Sequence, residues 1–168
     1  MLSTFTAFLD ADVFTGARLR SLVLAGTGLF RARRSEAVHD EWTRNLLTNR
    51  PDLRPEDLAR TCRLMNGAVL DAVVAGYEPL IPALDLPDPD DRHVLAAAIH
   101  GRASCIVTFD LGSFPPDRLA PFGLHAVHPD DFLLDVEGLD PVVLAGVIAD
   151  DLPQYRAPPL RTCWYKAG

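Results

Sequence analysis

The side chains able to do chemistry in this chain are carboxylates. Asp10 closes the apolar run Phe5–Leu9, and Asp12 follows two residues later. Asp110 follows the run Ser-Cys-Ile-Val-Thr at 104–108, and Asp91, with Asp88 and Asp90, opens the segment that leads into that run. Glu41 stands beside Trp42, two residues after His39. Three or four carboxylates at one rim repel one another and raise each other's pKa unless a cation holds them together. Mg²⁺ and Mn²⁺ suit such a set, because they take oxygen ligands and keep several waters. An ion held there can activate a water and stabilise the attacking and leaving oxygens of a phosphodiester. Against this stands a plain reading. In a chain with 18 Asp, an acid at a strand or helix end is ordinarily a turn residue or a cap. The plain reading is preferred for Asp88, Asp90 and Asp117 and is evenly balanced for Asp12. It weakens for Asp10, Asp91 and Asp110, because three independent placements converge.

These acids need elements to bring them together. Phe5–Leu9 reads as a short buried strand stopped by an acid, and 104–108 as the clearest strand. Leu124–Val127 is a weaker strand candidate, and Leu80–Leu84 is another despite Pro82. Val13–Phe30 has helical spacing at Leu19, Leu22, Val23 and Leu29, broken by Gly26 and Gly28. Ser35 caps an amphipathic helix through Val38, Trp42, Leu46 and Leu47. Pro55 opens another, through Leu58, Cys62, Met65 and Val69. Asp90 or Asp91 is expected to cap the helix carrying Val94–Ile99. A short helix follows at Asp130–Leu134, and Asp140-Pro141 starts a last one ending near Leu152-Pro153. Strands alternating with helices predict an α/β fold with a mostly parallel sheet of about four to five strands. In such sheets active sites form outside the carboxyl ends of the strands, where these acids stand. The expected organisation is a unit over 1–136, a helix packed on it over 137–153 and a tail over 154–168.

Composition narrows the class. A chain of 168 residues, 48% hydrophobic and 23% charged, suits one domain with a sizeable core and excludes collagen-like or wholly disordered chains. The formal charge is −7 and the pI near 5.1, so net charge does not bring a polyanion to this surface. Cys62, Cys105 and Cys163 form no C-x-x-C pair, and Cys105 in its apolar run reads as a buried free thiol. The N-terminus lacks a basic start and meets Asp10 too soon for a signal peptide, and no apolar stretch approaches a membrane span. The expectation is a soluble cytoplasmic protein.

Four blocks in order carry a family resemblance: Phe8-Leu-Asp-Ala-Asp-Val-Phe14, the segment 35–46 with Glu41, the segment 88–98 with Asp91, and Ile106-Val-Thr-Phe-Asp-Leu-Gly-Ser-Phe-Pro115. Together they resemble PIN-domain proteins of the bacterial VapC-like toxin branch, over roughly residues 5–135. The resemblance implies a three-layer α/β/α fold and a metal-dependent endoribonuclease that leaves a 3′-hydroxyl and a 5′-phosphate. It implies Asp10, Glu41, Asp91 and Asp110 as the acidic quartet around Mg²⁺ or Mn²⁺, with Glu41 as fourth ligand or orienter. Thr108 matches the family's small hydroxyl residue and would position the substrate or a water. Ser113 stands where relatives carry Asp, and Asp110 where they carry Asn. The resemblance further implies an RNA substrate, a cognate antitoxin protein and frequent homodimers.

Two rivals share these residues. A haloacid-dehalogenase-like phosphatase would use Asp10 and Asp12, but it needs a Lys after its second motif and then an acidic pair. The lone Lys166 lies in the tail, and Asp90-Asp91 precedes Thr108. A degenerate PIN domain would bind RNA or a partner protein without cutting. Other signals read as ordinary packing or surface: the His39-Asp40 helix pair, His93 and His100, His125 and His128, and Gly26-Thr-Gly28 at a helix end. Arg31, Arg33 and Arg34 could meet RNA phosphate or an acidic partner, though a solvated cluster is the preferred reading. Val142, Val143, Val147, Ile148 and Leu152 are expected to pack on the domain.

Overall fold

The computed structural model describes residues 5–16, 20, 28–69 and 71–151. Four short strands form one sheet: β1 (Thr6–Leu9), β2 (Arg31–Arg33), β3 (Cys105–Val107) and β4 (His125–Val127). All pair in parallel, in the order β2-β1-β3-β4. The central strands are apolar because both of their faces are covered. Ala7, Phe8 and Leu9 of β1 and all three residues of β3 are buried. Leu9 is in register with Val107, and Val107 with Val127, so three strands end side by side. Beyond them the Asp10 amide donates to the Val107 carbonyl, and the Thr108 amide to that of Val127. The sheet thus delivers Asp10 and Thr108 to one edge.

Six α-helices complete the described fold: α1 (Glu36–Asn49), α2 (Pro55–Ala68), α3 (Arg92–His100), α4 (Pro116–Leu119), α5 (Pro129–Leu139) and α6 (Pro141–Asp151). α1 starts where expected, with the Ser35 hydroxyl accepting from the Val38 amide at 3.3 Å. Pro55 stands in the first turn of α2. Asp140 caps α6 by accepting from the amides of Val142 and Val143. Five consecutive residues of α3, Val94–Ala98, are buried. Small side chains let that helix lie close, and at its end Gly101 has no room for a Cβ beside Val74 and the Ala97 carbonyl. Phe30 and Phe132 pack edge to face at 4.9 Å. No helix among the described residues is long and apolar enough to cross a membrane.

Several expectations are corrected. Leu80–Leu84 is no strand. Glu78–Ala83 forms a 3-10 helix, because Pro79 and Pro82 fix φ and supply no ladder donor. β2 was read as a charged cluster. Its three residues bury only Ala32, too little alternation to announce a strand. Arg34 is fully buried rather than solvated, donating to the Met65 carbonyl at 2.7 Å and to Asn66 at 3.0 Å. His39 is also buried, and burial together with the Arg34 charge lowers its pKa. α5 is longer than Asp130–Leu134. On α6 it is Leu144 that joins the core, while Val142, Val143 and Ile148 are exposed. The expected helix over Val13–Phe30 is replaced at its start by a 3-10 turn, Ala11–Phe14. Leu19, Leu22, Val23, Gly26, Leu152 and the tail 154–168 lie outside the described residues.

Candidate functional site

Asp10 is the first residue after β1, in extended conformation and only 6% exposed. Its Oδ1 accepts from the Ala11 amide at 2.7 Å and so caps the 3-10 turn. That tight turn carries Asp12 back to the strand ends. On the neighbouring strand Thr108 is fully buried. Its hydroxyl lies 2.9 Å from Asp10 Oδ2 and 3.1 Å from Asp12 Oδ2, and it accepts from the Asp110 amide at 3.0 Å. The Phe109 amide donates to Asp12 Oδ2 at 2.9 Å. One hydroxyl therefore ties three acidic residues from two strands to one point. It has a single proton for two carboxylates. Asp12 Oδ1 is buried with no partner at all.

The other acids gather around this hub. Asp110 caps the 3-10 turn Leu111–Ser113, and its Oδ2 accepts from the Ser113 hydroxyl at 2.9 Å. The same hydroxyl interacts with Asp91. Asp91 precedes α3 but does not cap it. Asp88 caps the 3-10 turn Pro89–Asp91 that leads into α3, accepting from the Asp90 amide at 2.8 Å, so the plain reading holds for Asp88, while Asp91 ends that turn without a capping bond. Glu41 comes from α1, with Oε2 3.2 Å from His93 Nε2. Beside them a cleft of about 410 Å³ is lined by Glu41, Arg44, Asn45, Asp90, Asp91 and His93. A cavity of about 440 Å³ between α1 and α2 contains none of these five acids, and its chemistry is separate.

Electrostatics identifies the five as one group. Burial, then the charge of Asp12 with a further part from Glu41, pushes the Asp10 carboxyl up to about 7. Asp12 is raised by burial with Asp110 adding, and Asp91 by burial with Asp88, Glu41 and Asp110 adding. Asp10, Asp12 and Asp91 thus each feel at least one other acid of the group. Among the described residues no group of three His, Cys, Asp or Glu side chains is arranged to hold a metal ion by itself. A hard divalent ion does not require one, since Mg²⁺ commonly takes one or two carboxylates and fills its shell with water and phosphate oxygens. The donor set fits such an ion: all oxygen, crowded with uncompensated charge, and with one buried carboxylate oxygen unpartnered.

Comparison with known proteins gives the family. The family model described as "PIN domain" matches residues 6–112, more than half of the chain. This is a PIN-domain protein. The matched span runs from β1 through Asp110 and so includes all five acids. A protein of Mycobacterium tuberculosis (strain ATCC 25618 / H37Rv) named "Putative ribonuclease VapC50" is 46% identical over 88 residues, 52% of either chain. The chain therefore spans about half the length of the curated relative it matches. No solved structure matches it. PIN nucleases generally use divalent metals, consistent with the donor set.

The fold brings Asp10, Glu41, Asp91, Asp110, Thr108 and Ser113 to one end of the PIN-domain sheet. It adds two residues. Asp12, evenly balanced on sequence, shares the Thr108 hydroxyl with Asp10. The Asp-x-Asp spacing at a strand end was its only signal. His93, expected as ordinary packing, is the partner of Glu41, and no signal in the sequence announced that contact.

Proposed function

We propose that this chain is a metal-dependent endoribonuclease, the toxin of a toxin–antitoxin pair acting in the cytoplasm. The observation that carries the reading is the Thr108 hydroxyl set between Asp10 and Asp12 at the carboxyl ends of β1 and β3, with Asp91, Asp110 and Glu41 in electrostatic reach. Asp10, Asp91 and Asp110 would hold Mg²⁺ or Mn²⁺, with Glu41 as a fourth ligand or as an orienter fixed by His93. The ion supplies Lewis-acid stabilisation of phosphoryl oxygens and activation of the attacking water. Thr108 holds Asp10 and Asp12 in register, and Ser113 sets the Asp110 carboxylate against Asp91. The scissile P–O3′ bond breaks as the water oxygen bonds to phosphorus, leaving a 3′-hydroxyl and a 5′-phosphate. The name of the mycobacterial relative supports the ribonuclease reading; a cognate antitoxin and a homodimer are what the resemblance to VapC-like proteins implies.

The test is cleavage of an end-labelled single-stranded RNA panel by the purified chain in Mn²⁺, Mg²⁺ or EDTA, beside Asp91→Asn. The expected result is cleavage that requires the metal and is lost in the variant. Equal cleavage by the variant overturns the assignment of Asp91. No cleavage of any RNA, with binding retained, moves the chain to the non-cutting class of PIN domains.

A further inference from the structure

Net charge and the charge of the site both oppose a polyanion here, so contact with RNA must rest partly on something uncharged. One feature at the site meets that need. Phe109 lies between Thr108 and Asp110, and its side chain is 48% exposed. Phe8, Phe14, Phe30, Phe114 and Phe132 are all buried, and Phe122, exposed to a similar extent, precedes β4 at the other end of the strand. The Phe109 position is nonetheless rigid. The Phe109 amide is bonded to Asp12, and the Phe109 ring stands against the His128 ring with centroids 5.0 Å apart at 86°. His128 is fixed in turn, because its Nδ1 accepts from the Asp130 amide at 3.2 Å at the start of α5. The strand pair β3–β4 thus presents a half-exposed aromatic face, clamped from behind, on the backbone that also holds the acidic hub. Leu111 next to it is 43% exposed and widens the apolar rim.

We propose that Phe109 is a stacking platform for one unpaired nucleobase of the RNA, the base of a nucleotide flanking the phosphate at the carboxylates. The inference rests on the ribonuclease reading and deepens it, since it makes the substrate single-stranded at the cut. Aromatic stacking is tolerant of sequence because every base has a π-face, and it needs no positive charge. A ring fixed before binding also loses little freedom when the base arrives. His128 is a positioning residue, bracing the Phe109 ring through their edge-to-face contact.

The experiment pairs protein and RNA changes. Binding of a short fluorescein-labelled single-stranded RNA is followed by anisotropy in Ca²⁺, and cleavage in Mg²⁺ or Mn²⁺. The proteins are the unaltered chain, Phe109→Ala, Phe109→Leu and Phe109→Trp. The RNAs are the intact strand and a set in which a single abasic nucleotide is walked along it. We expect Phe109→Ala and Phe109→Leu to lose roughly 5- to 150-fold in affinity and a similar factor in kcat/KM, mainly through KM. Phe109→Trp should retain binding. At one nucleotide position the abasic RNA should bind the unaltered protein as poorly as intact RNA binds Phe109→Ala, and the two losses should not add. Equal losses in Leu and Trp variants, or additive losses at every abasic position, overturn the stacking role while leaving the nuclease intact. A chain that binds RNA through Phe109 without cutting it keeps the platform and refutes the nuclease. A Phe109→Ala protein that handles RNA normally and loses only its hold on a protein partner refutes the platform.

Discussion

The buried acid at the end of β1 makes a thermodynamic prediction for the metal-free protein. The Asp10 carboxyl ordinarily ionises near 3.8 and in the folded chain near 7, chiefly because burial disfavours its charge. Between those values the folded chain holds a proton that the unfolded chain has released. Stability therefore falls as pH rises across that window, being fully present below about 3.8 and lost once pH passes about 7. Three units at about 1.36 kcal/mol each come to about 4 kcal/mol. Asp10→Asn removes the ionisation but keeps the shape. The introduced amide can accept from Ala11 through its oxygen and donate to Thr108 Oγ1, whose own proton is then free for Asp12. We expect the variant in EDTA to be more stable than the parent at pH 8 by up to about 4 kcal/mol, or roughly 10 °C in Tm, and close to it at pH 4. Urea unfolding at intervals from pH 4 to 8, with both proteins carried through EDTA, reads the difference directly. Parallel profiles for parent and variant would refute the reasoning, because they would mean that Asp10 ionises in the folded chain as it does in the unfolded one. The same variant should cut no RNA, so stability and activity move in opposite directions.

Three further outcomes follow from particular contacts. Thr108→Val keeps the shape but strips the hydroxyl that serves Asp10, Asp12 and the Asp110 amide, and should cost about 1–3 kcal/mol with loss of cleavage; a urea midpoint and slope equal to the parent's would remove Thr108 from the centre of the site. Gly101→Ala places a methyl 2.9 Å from Val74 Cγ2 and 3.0 Å from the Ala97 carbonyl, so thermal unfolding should fall by about 1–3 kcal/mol while the RNA cut sites stay the same. Burial pushes the Cys105 thiol up to about 12 and leaves Cys62 more accessible, so iodoacetamide followed by peptide mass spectrometry should label Cys62 well before Cys105.

What could be read from the sequence follows from how each element is stabilised. β1 and β3 are covered on both faces, so they must be apolar runs, and the polar residue ending each run marks the strand end. That is why Asp10, Thr108 and Asp110 were legible. β2 lies at the edge and buries a single side chain, so composition carries no trace of it. Arg34 disguised the region further: a guanidinium reads as surface unless the chain supplies distant acceptors, and the Met65 carbonyl and Asn66 do so from another helix. Caps illustrate the same limit. Ser35 and Asp140 were readable because a cap acts on amides two or three residues away. The division of labour between Asp88 and Asp91 was not, because it depends on a 3-10 turn of three residues. Glu41 with His93 joins α1 to α3, and no local pattern records a contact made only by the folded chain.

The manner in which the acids are held bears on why the site remains charged. The groups fixing Asp10, Asp12 and Asp110 are the Thr108 and Ser113 hydroxyls and the amides of Ala11 and Phe109, all of them neutral. A buried guanidinium in the same place would have lowered the carboxyl pKa values and closed the site with an internal ion pair. Asp10, Asp12 and Asp91 are instead all raised, so no internal cation compensates their charge when they ionise. Neutral donors orient the oxygens without cancelling their charge. On the proposed function, a small cation from solution would relieve the repulsion, at the edge of the sheet where the proposed Phe109 platform would meet a base. An acidic protein would in this way meet an acidic polymer, the ion taking the phosphate and the ring the base.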